Sequence, residues 1–497
     1  MVSELTLKRL KYSKIKIYFI KHSDCHKMGG ANMVKFNFSC TNIDNLKSSY
    51  DFVVIGSGAT GMTAAIQAQE LGLDVVIFEK LNSLGGNSMR ASTGMNAVET
   101  MTQLKYQIID SQESFYEETL KGGKGSNNKE LLSYFVRHTE SAIEWLSYHN
   151  IELNEIVSTG GMSKKRAHQP TGATAIGGYL VKGLQQQLAE KRIPVFNQTK
   201  VLSLVKNDGH ISGVEIEHPQ AGKKIINAKT VLIASGGFAQ NRAMMSVYAP
   251  DLLRLGTTNH PGATGDGIKL ATTAGGALVD MNKVQVHPTA QQETDHIYLI
   301  GEGLRGAGAI LINHLGKRFT NEMATRDQVT KAIDDLHQDG ATLVFDQGIC
   351  EAFKAADFYV AMGLAVSGNT IYELAEKIGV NPNNLEKTVS GWNMYQKAFE
   401  DIAFDRQTGM DRGIEKSPYY AIHIKPAVHY TMGGIKTNRL TEVLNEIGEA
   451  VPGLFAAGEV AGGLHGDNRI GGNSIAETIV FGRQAGQQAA KHVLSLS

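Results

Sequence analysis

The chain has 497 residues, and at about 150 residues per domain this length points to two to four domains. Forty-nine lysines plus arginines balance 49 aspartates plus glutamates, which excludes the basic surplus of a nucleic-acid binder. A composition of 42% hydrophobic and 20% charged residues excludes a disordered chain, and no apolar run of about 18 residues is present to span a membrane.

Residues 1–49, rich in Lys, Asn and Ser, are expected to form a flexible N-terminal tail. Their longest apolar run, Ile17-Tyr18-Phe19-Ile20, is too short for a signal-peptide core. Asp51 to Ile55 then reads as a buried parallel strand. Gly56-Ser57-Gly58-Ala59-Thr60-Gly61 follows, and Met62 to Leu71 continues with helical periodicity to a stop at Gly72. Asp74 to Phe78 is a second strand, closed by Glu79 eighteen residues beyond Gly61. A glycine motif inside a complete strand–helix–strand–acid unit predicts dinucleotide binding. The glycines admit the pyrophosphate, the helix N-terminus stabilises its charge, and Glu79 accepts from a ribose hydroxyl.

Three later features select FAD over a nicotinamide cofactor. Gly85-Gly86-Asn87-Ser88 is a second glycine turn, placed for the pyrophosphate and ribityl chain. Lys229 to Ala234 is an apolar strand ending in Ser235-Gly236-Gly237. Gly453 to Ala457 runs into Gly458-Glu459, an acid placed for ribityl hydroxyls that a nicotinamide cofactor lacks. The excess of glycine, 54 residues against 10 prolines, fits such close backbone approach. Lys80, Ser92, Thr93, Gly94, Asp266, Tyr430, Asn473, Ser474 and Ile475 complete the candidate cofactor contacts, with Ala59 in the first turn.

The fold class expected is α/β: a Rossmann-like FAD-binding domain with an inserted α+β capping domain. Its segments are 50–281, the cap at 282–429 with helices at 371–378 and 384–399, and 430–497. The last helix, from near Ser474, would stabilise anionic reduced flavin if its N-terminus faces the pyrimidine ring. Cys25, Cys40 and Cys350 are too few for a disulfide scaffold, a four-cysteine zinc site or an iron–sulfur cluster. No metal is expected, and the compartment expected is the reducing cytoplasm.

Six motifs then occur in one order: His287-Pro288-Thr289, Gly301-Glu302-Gly303-Leu304-Arg305-Gly306, Arg318-Phe319-Thr320-Asn321-Glu322, Thr325-Arg326-Asp327, His429 to Gly434, and Leu464 to Ser474. With these the chain resembles the flavoprotein subunit of the fumarate reductase and succinate dehydrogenase family, most closely its soluble fumarate reductase branch, over residues 50–497. The resemblance implies a cap closing over the flavin, with His287 and His429 at the two hinges. It implies reduction of fumarate to succinate, with hydride from flavin N5 and a proton from Arg326.

In that scheme Arg469 and His429 hold one carboxylate, within a glycine run that includes Gly472 and admits close approach, and His287 holds the other. Arg offers a planar fork for such a group. A guanidinium is a weak acid, but the centre it protonates is carbanion-like, and its charge stabilises that centre. The resemblance makes Arg305 and Glu302 the relay that returns the proton to Arg326. Composition alone favours a structural ion-pair cluster for these three residues, and the six motifs together favour the relay. His465 reads as structural, and His168 is assigned no chemistry.

Two departures matter. Arg90-Ala91-Ser92-Thr93 lacks the histidine that tethers flavin in membrane-bound members, so FAD is expected to be non-covalent. Gly301 stands where the soluble branch often has a threonine on the distal carboxylate. Alternative acceptors are therefore another α,β-unsaturated acid, of the urocanate or acrylate type, and an aspartate-oxidase-like dehydrogenase is a further alternative. Electrons are expected from an external donor: NADH, reduced flavin or a small redox protein.

Overall fold

The computed structural model describes residues 36–172 and 174–496, and Phe38–Ser497 forms one unit. The elements that matter for the site are β1 (Ser49–Ile55), α1 (Ala59–Glu70), β2 (Val75–Phe78), β3 (Val195–Phe196), β4 (Gly222–Ile233), β5 (Val284–Gln291), α2 (Glu302–Gly306), α3 (Arg326–Asp334), β6 (Tyr419–Thr431), β7 (Ala450–Ala456) and α4 (Asn473–Ser495).

An eight-stranded sheet carries the first domain. Its path runs Glu442–Leu444, β7, β4, β1, β2, β3, and β1 pairs in parallel with both β2 and β4. Phe52, Val53 and Val54 are wholly buried, because separate apolar clusters cover the two faces of this sheet. That double burial is why β1 reads as a continuous apolar run. On one face α4 lies against α1. Cβ atoms added at Gly482 and Gly486 would stand 2.9 Å from Thr60 O and 2.6 Å from Ala64 O, so these glycines set how closely the helices approach.

A second, antiparallel sheet of six strands, with β5 and β6 at its centre, forms the cap. The buried residues of its apolar core lie between Ile300 and Ile424, with Tyr298 packed against them. β5 and β6 are the two strands by which the chain enters and leaves the cap, and they pair with each other, His287 opposite Ala427.

Three expectations differ in extent. Residues 1–35 of the expected tail lie outside the described residues. Its last part is ordered: the Thr41 amide donates to Val195 O at 2.8 Å, Ile43 is buried, and β1 begins at Ser49. The strand expected at 229–234 is the end of the twelve-residue β4, whose charged first half pairs with the hairpin Lys200–Asn207 and His210–His218. The helix expected at 384–399 is Pro382–Ala398, opened by Pro382 and by the Asn381 side chain accepting from Asn384 N–H at 3.1 Å.

Candidate active site

The C-terminal tips of β1, β2, β4 and β7 open on one cavity. All the expected cofactor contacts line it except Ala59, Gly61, Gly85, Gly237 and Asn473, which stand behind its wall. Gly56 has φ +109°, and a Cβ there would lie 2.5 Å from Ala234 O. A Cβ at Gly61 would overlap the Gly56 carbonyl oxygen, so Gly61 allows α1 to rest on the β1 turn. Gly58 precedes the first residue of α1, and the Ala59 amide donates to Ser88 Oγ at 3.1 Å. Gly85 and Gly86, both with positive φ, start the second turn.

Acidic groups punctuate the cavity. Glu79 accepts from Ser57 N–H at 3.1 Å, Ser57 Oγ at 2.7 Å and Leu81 N–H at 2.9 Å, which fixes its orientation. Lys80 pairs with Asp266 at 2.9 Å. Glu459 accepts from Thr431 N–H and from Asn87 Nδ2, each at 3.1 Å, and burial pushes its carboxyl up to about 7. A Cβ at Gly237 would lie 2.7 Å from the same carboxylate. Gly94, with φ +148°, passes close to His168 O. Ser474 and Ile475 bring the first turn of the 23-residue α4 to the cavity, with Gly472 in a left-handed conformation before it. Asn473 itself accepts from Asn96 Nδ2 at 2.7 Å.

Beyond this cradle the cap and the glycine run meet. Arg326, the first residue of α3, His429 on β6 and Arg469 face the cavity together. Arg326 Nε donates to Glu302 Oε1 and Nη1 to Gln285 Oε1 at 2.8 Å. Glu302 and Arg305 share the single turn α2, with Arg305 Nη2 3.8 Å from Glu302 Oε1. Arg305, Glu302 and Arg326 therefore form a buried row that ends at the cavity, with only Arg326 lining it. His287 is wholly buried with its ring edge-on to His429, centroids 5.2 Å apart. Thr289 occupies its Nδ1, and its Nε2 has no partner.

Four arginine or glutamate atoms of the row and of Arg469 are also buried without a hydrogen bond: Glu302 Oε2, Arg305 Nε, Arg305 Nη2 and Arg469 Nε. Buried polar groups normally find partners; of these three residues only Arg469 lines the cavity, where a ligand could complete it, while Glu302 and Arg305 keep spare hydrogen-bonding capacity behind the lining. Burial lowers Arg305 and Arg469 to about 10. For Glu302 burial raises the carboxyl, but Arg326 and Arg305 outweigh it and leave it below its ordinary value. Burial, with Arg326 adding to it, holds His287 and His429 well below the usual imidazole range, so both are neutral near pH 7.

Several participants carry no motif of their own. Gln285 bonds Arg326, Asn468 Oδ1 at 2.8 Å and Arg469 O at 2.7 Å, joining cap to glycine run. Its signal was available: two residues before His287 on one strand, it shares that residue's face. Thr258, bonded to His429 Nδ1 at 2.8 Å, had none. Gly471 allows Glu302 and Arg326 to come close, since a Cβ there would overlap Glu302 Oε2. Tyr430 lies under Arg469, whose Cζ is 4.4 Å from the ring centre, and donates to buried Glu477 at 2.6 Å. His465 bonds the same carboxylate at 3.0 Å. Both ring nitrogens of His168 are engaged, by Thr100 and by Arg166 O, and burial lowers it to about 4.

The FAD binding domain family is matched over residues 51–475, and the chain belongs to that family. It is 46% identical over 448 residues to the NADH:fumarate oxidoreductase of Klebsiella pneumoniae, covering 90% of this chain and 48% of that protein. The chain thus spans about half the length of that relative. It is 37% identical over 443 residues to the fumarate reductase (cytochrome) of Shewanella frigidimarina, covering 89% of this chain and 77% of that one. The solved open conformation of a flavocytochrome c3 fumarate reductase is similar with a TM-score of 0.73 at 36% identity, covering 91% and 80% of the two chains. Among the described residues no helix is long and apolar enough to cross a membrane, and no cluster of His, Cys, Asp and Glu could hold a metal ion.

Proposed function

We propose that this protein reduces fumarate to succinate with non-covalently held FAD, working in the cytoplasm with electrons from an external donor such as NADH, reduced flavin or a small redox protein. The observation that carries this reading is the buried Arg305–Glu302–Arg326 row ending at the cavity beside two neutral histidines and Arg469. The glycine cradle, the Glu79 and Glu459 carboxylates and the start of α4 fit the cofactor. FAD, when bound, supplies the two electrons as a hydride.

The chain's own residues do the rest. Arg469, held over Tyr430, and His429 bind one carboxylate. His287, whose buried Nε2 has no partner, serves the other. Neutral histidines donate hydrogen bonds without adding positive charge beside two arginines. Clamping both ends twists the alkene, so part of the binding energy is realised only in the transition state. Arg326 delivers a proton to the second carbon. Glu302, already bonded to Arg326 Nε, passes a proton back, and Arg305 refills Glu302. The 3.8 Å separation between the last two is beyond a hydrogen bond, so this transfer needs a side-chain movement.

The test is anaerobic. The purified flavoprotein is reduced with dithionite and mixed with fumarate, urocanate, acrylate or oxygen. Rapid return of the oxidised spectrum with fumarate is expected. Return only with urocanate or acrylate would overturn the choice of substrate, and return only with oxygen would overturn the reductase reading.

A further inference from the structure

The one departure at the substrate end of the site is Gly301, and the structure shows what occupies the space it leaves. Gly301 adopts φ −63° and ψ 151°, ordinary extended backbone, so its conformation does not require glycine. A Cβ built there would stand 2.5 Å from Ser92 Oγ and 3.1 Å from Ser92 Cβ. A side chain at 301 and the Ser92 hydroxyl therefore compete for one volume. Ser92 Oγ is buried, has no hydrogen-bond partner, and belongs to a residue that lines the cavity with Arg326, His429 and Arg469. A buried hydroxyl without a partner is destabilising, so an unpaired one in a binding cavity marks a place where a ligand completes it.

We propose that Ser92 is a specificity-determining residue: its hydroxyl donates to the distal carboxylate of a bound dicarboxylate, replacing from the FAD-binding domain the donor that Gly301 cannot offer from the cap. The assignment rests on the dicarboxylate reading of the site. A second hydroxyl is close, since Tyr359 Oη accepts from the Gly301 amide at 3.0 Å. Tyr359 is buried behind the wall and does not line the cavity, which leaves Ser92 as the donor that can reach a ligand. His287 Nε2 is likewise unpartnered, but His287 does not line the cavity, so Ser92 is the donor that a ligand meets at the wall.

The experiment reads fumarate and acrylate binding to the oxidised, FAD-loaded protein by perturbation of the flavin absorbance. In Ser92→Ala, fumarate binding should weaken about 10- to 100-fold, the loss of one hydrogen bond to a charged group, and the preference for fumarate over acrylate should fall by the same factor. The exchange Ser92→Gly/Gly301→Ser, which moves the hydroxyl across the gap, should recover most of that preference, which a merely structural role would not do. Unchanged fumarate binding in Ser92→Ala, or no recovery in the exchanged protein, overturns the proposal. So does a loss produced by Tyr359→Phe instead. Loss of FAD from Ser92→Ala also overturns it, because the hydroxyl would then serve the cofactor. Binding is read without turnover, so a protein that follows this pattern yet never passes electrons to fumarate would sink the reductase reading alone.

Discussion

Gly471→Ala isolates the proposed proton relay with a single methyl group. Gly471 is buried, and an added Cβ would overlap Glu302 Oε2, lie 2.9 Å from Glu302 Cδ and 3.1 Å from Arg326 Nη2. Carbon contacts settle at about 3.5–4.0 Å, so the carboxylate must retreat by roughly 0.6–1 Å. Its bond to Arg326 Nε is the one that moves. Misplacement of about 1 Å at a reacting group costs about 100-fold in rate, equivalent to about 2.7 kcal/mol on the barrier. The atoms displaced belong to side-chain ends, so unfolding should change by only about 1 kcal/mol. The assay is steady-state fumarate reduction beside thermal unfolding of the FAD-loaded protein. The expected outcome is kcat down about 100-fold with flavin content and Tm nearly unchanged. Adding Glu302→Asp, which withdraws the carboxylate by one methylene, should restore part of the rate. Wild-type kcat in Gly471→Ala would refute the relay geometry.

Gly61→Ala should abolish FAD retention, because its Cβ meets the Gly56 carbonyl, a backbone atom that cannot swing away; flavin that co-purifies at wild-type stoichiometry would count against the cradle. Arg469→Lys loses the planar fork and the stacking on Tyr430, and the KM for fumarate should rise at least about 10-fold, which initial-rate kinetics would show. Burial holds the folded pKa of His168 at about 4, against 6.5 in the unfolded chain. The unfolded chain therefore binds its proton first, and stability is lost as pH falls from about 6.5 toward 4. His168→Gln should flatten the dependence of Tm on pH across that window, and an identical slope would contradict the buried neutral state.

What the sequence made legible was local. The strand, glycine turn, helix and acid of residues 51–79 are set by neighbours along the chain, and β1, α1 and β2 follow them closely. His287 and His429 could be placed at the edges of the insertion, and their rings meet because β5 pairs with β6. The contacts that complete the site join residues far apart in sequence. Gln285 with Asn468, Gly471 with Glu302 and Ser92 with Gly301 have no periodicity to announce them. The ordered stretch at 41–49 was hidden for a related reason: its polar composition resembles a tail, and pairing with β3 and β4 and the Lys47–Asp74 ion pair order it.

In the proposed mechanism Arg326 hands the proton to substrate from within the buried row. The direct measurement is a single-turnover experiment on Arg326→Ala, loaded with FAD, reduced anaerobically and mixed with fumarate beside the wild-type protein. Arg326→Ala should show normal flavin content and almost no reoxidation by fumarate, while the wild type reoxidises rapidly. Reoxidation of Arg326→Ala at the wild-type rate would contradict it, and the Arg305–Glu302–Arg326 row would then be an ion-pair cluster that holds the cap together.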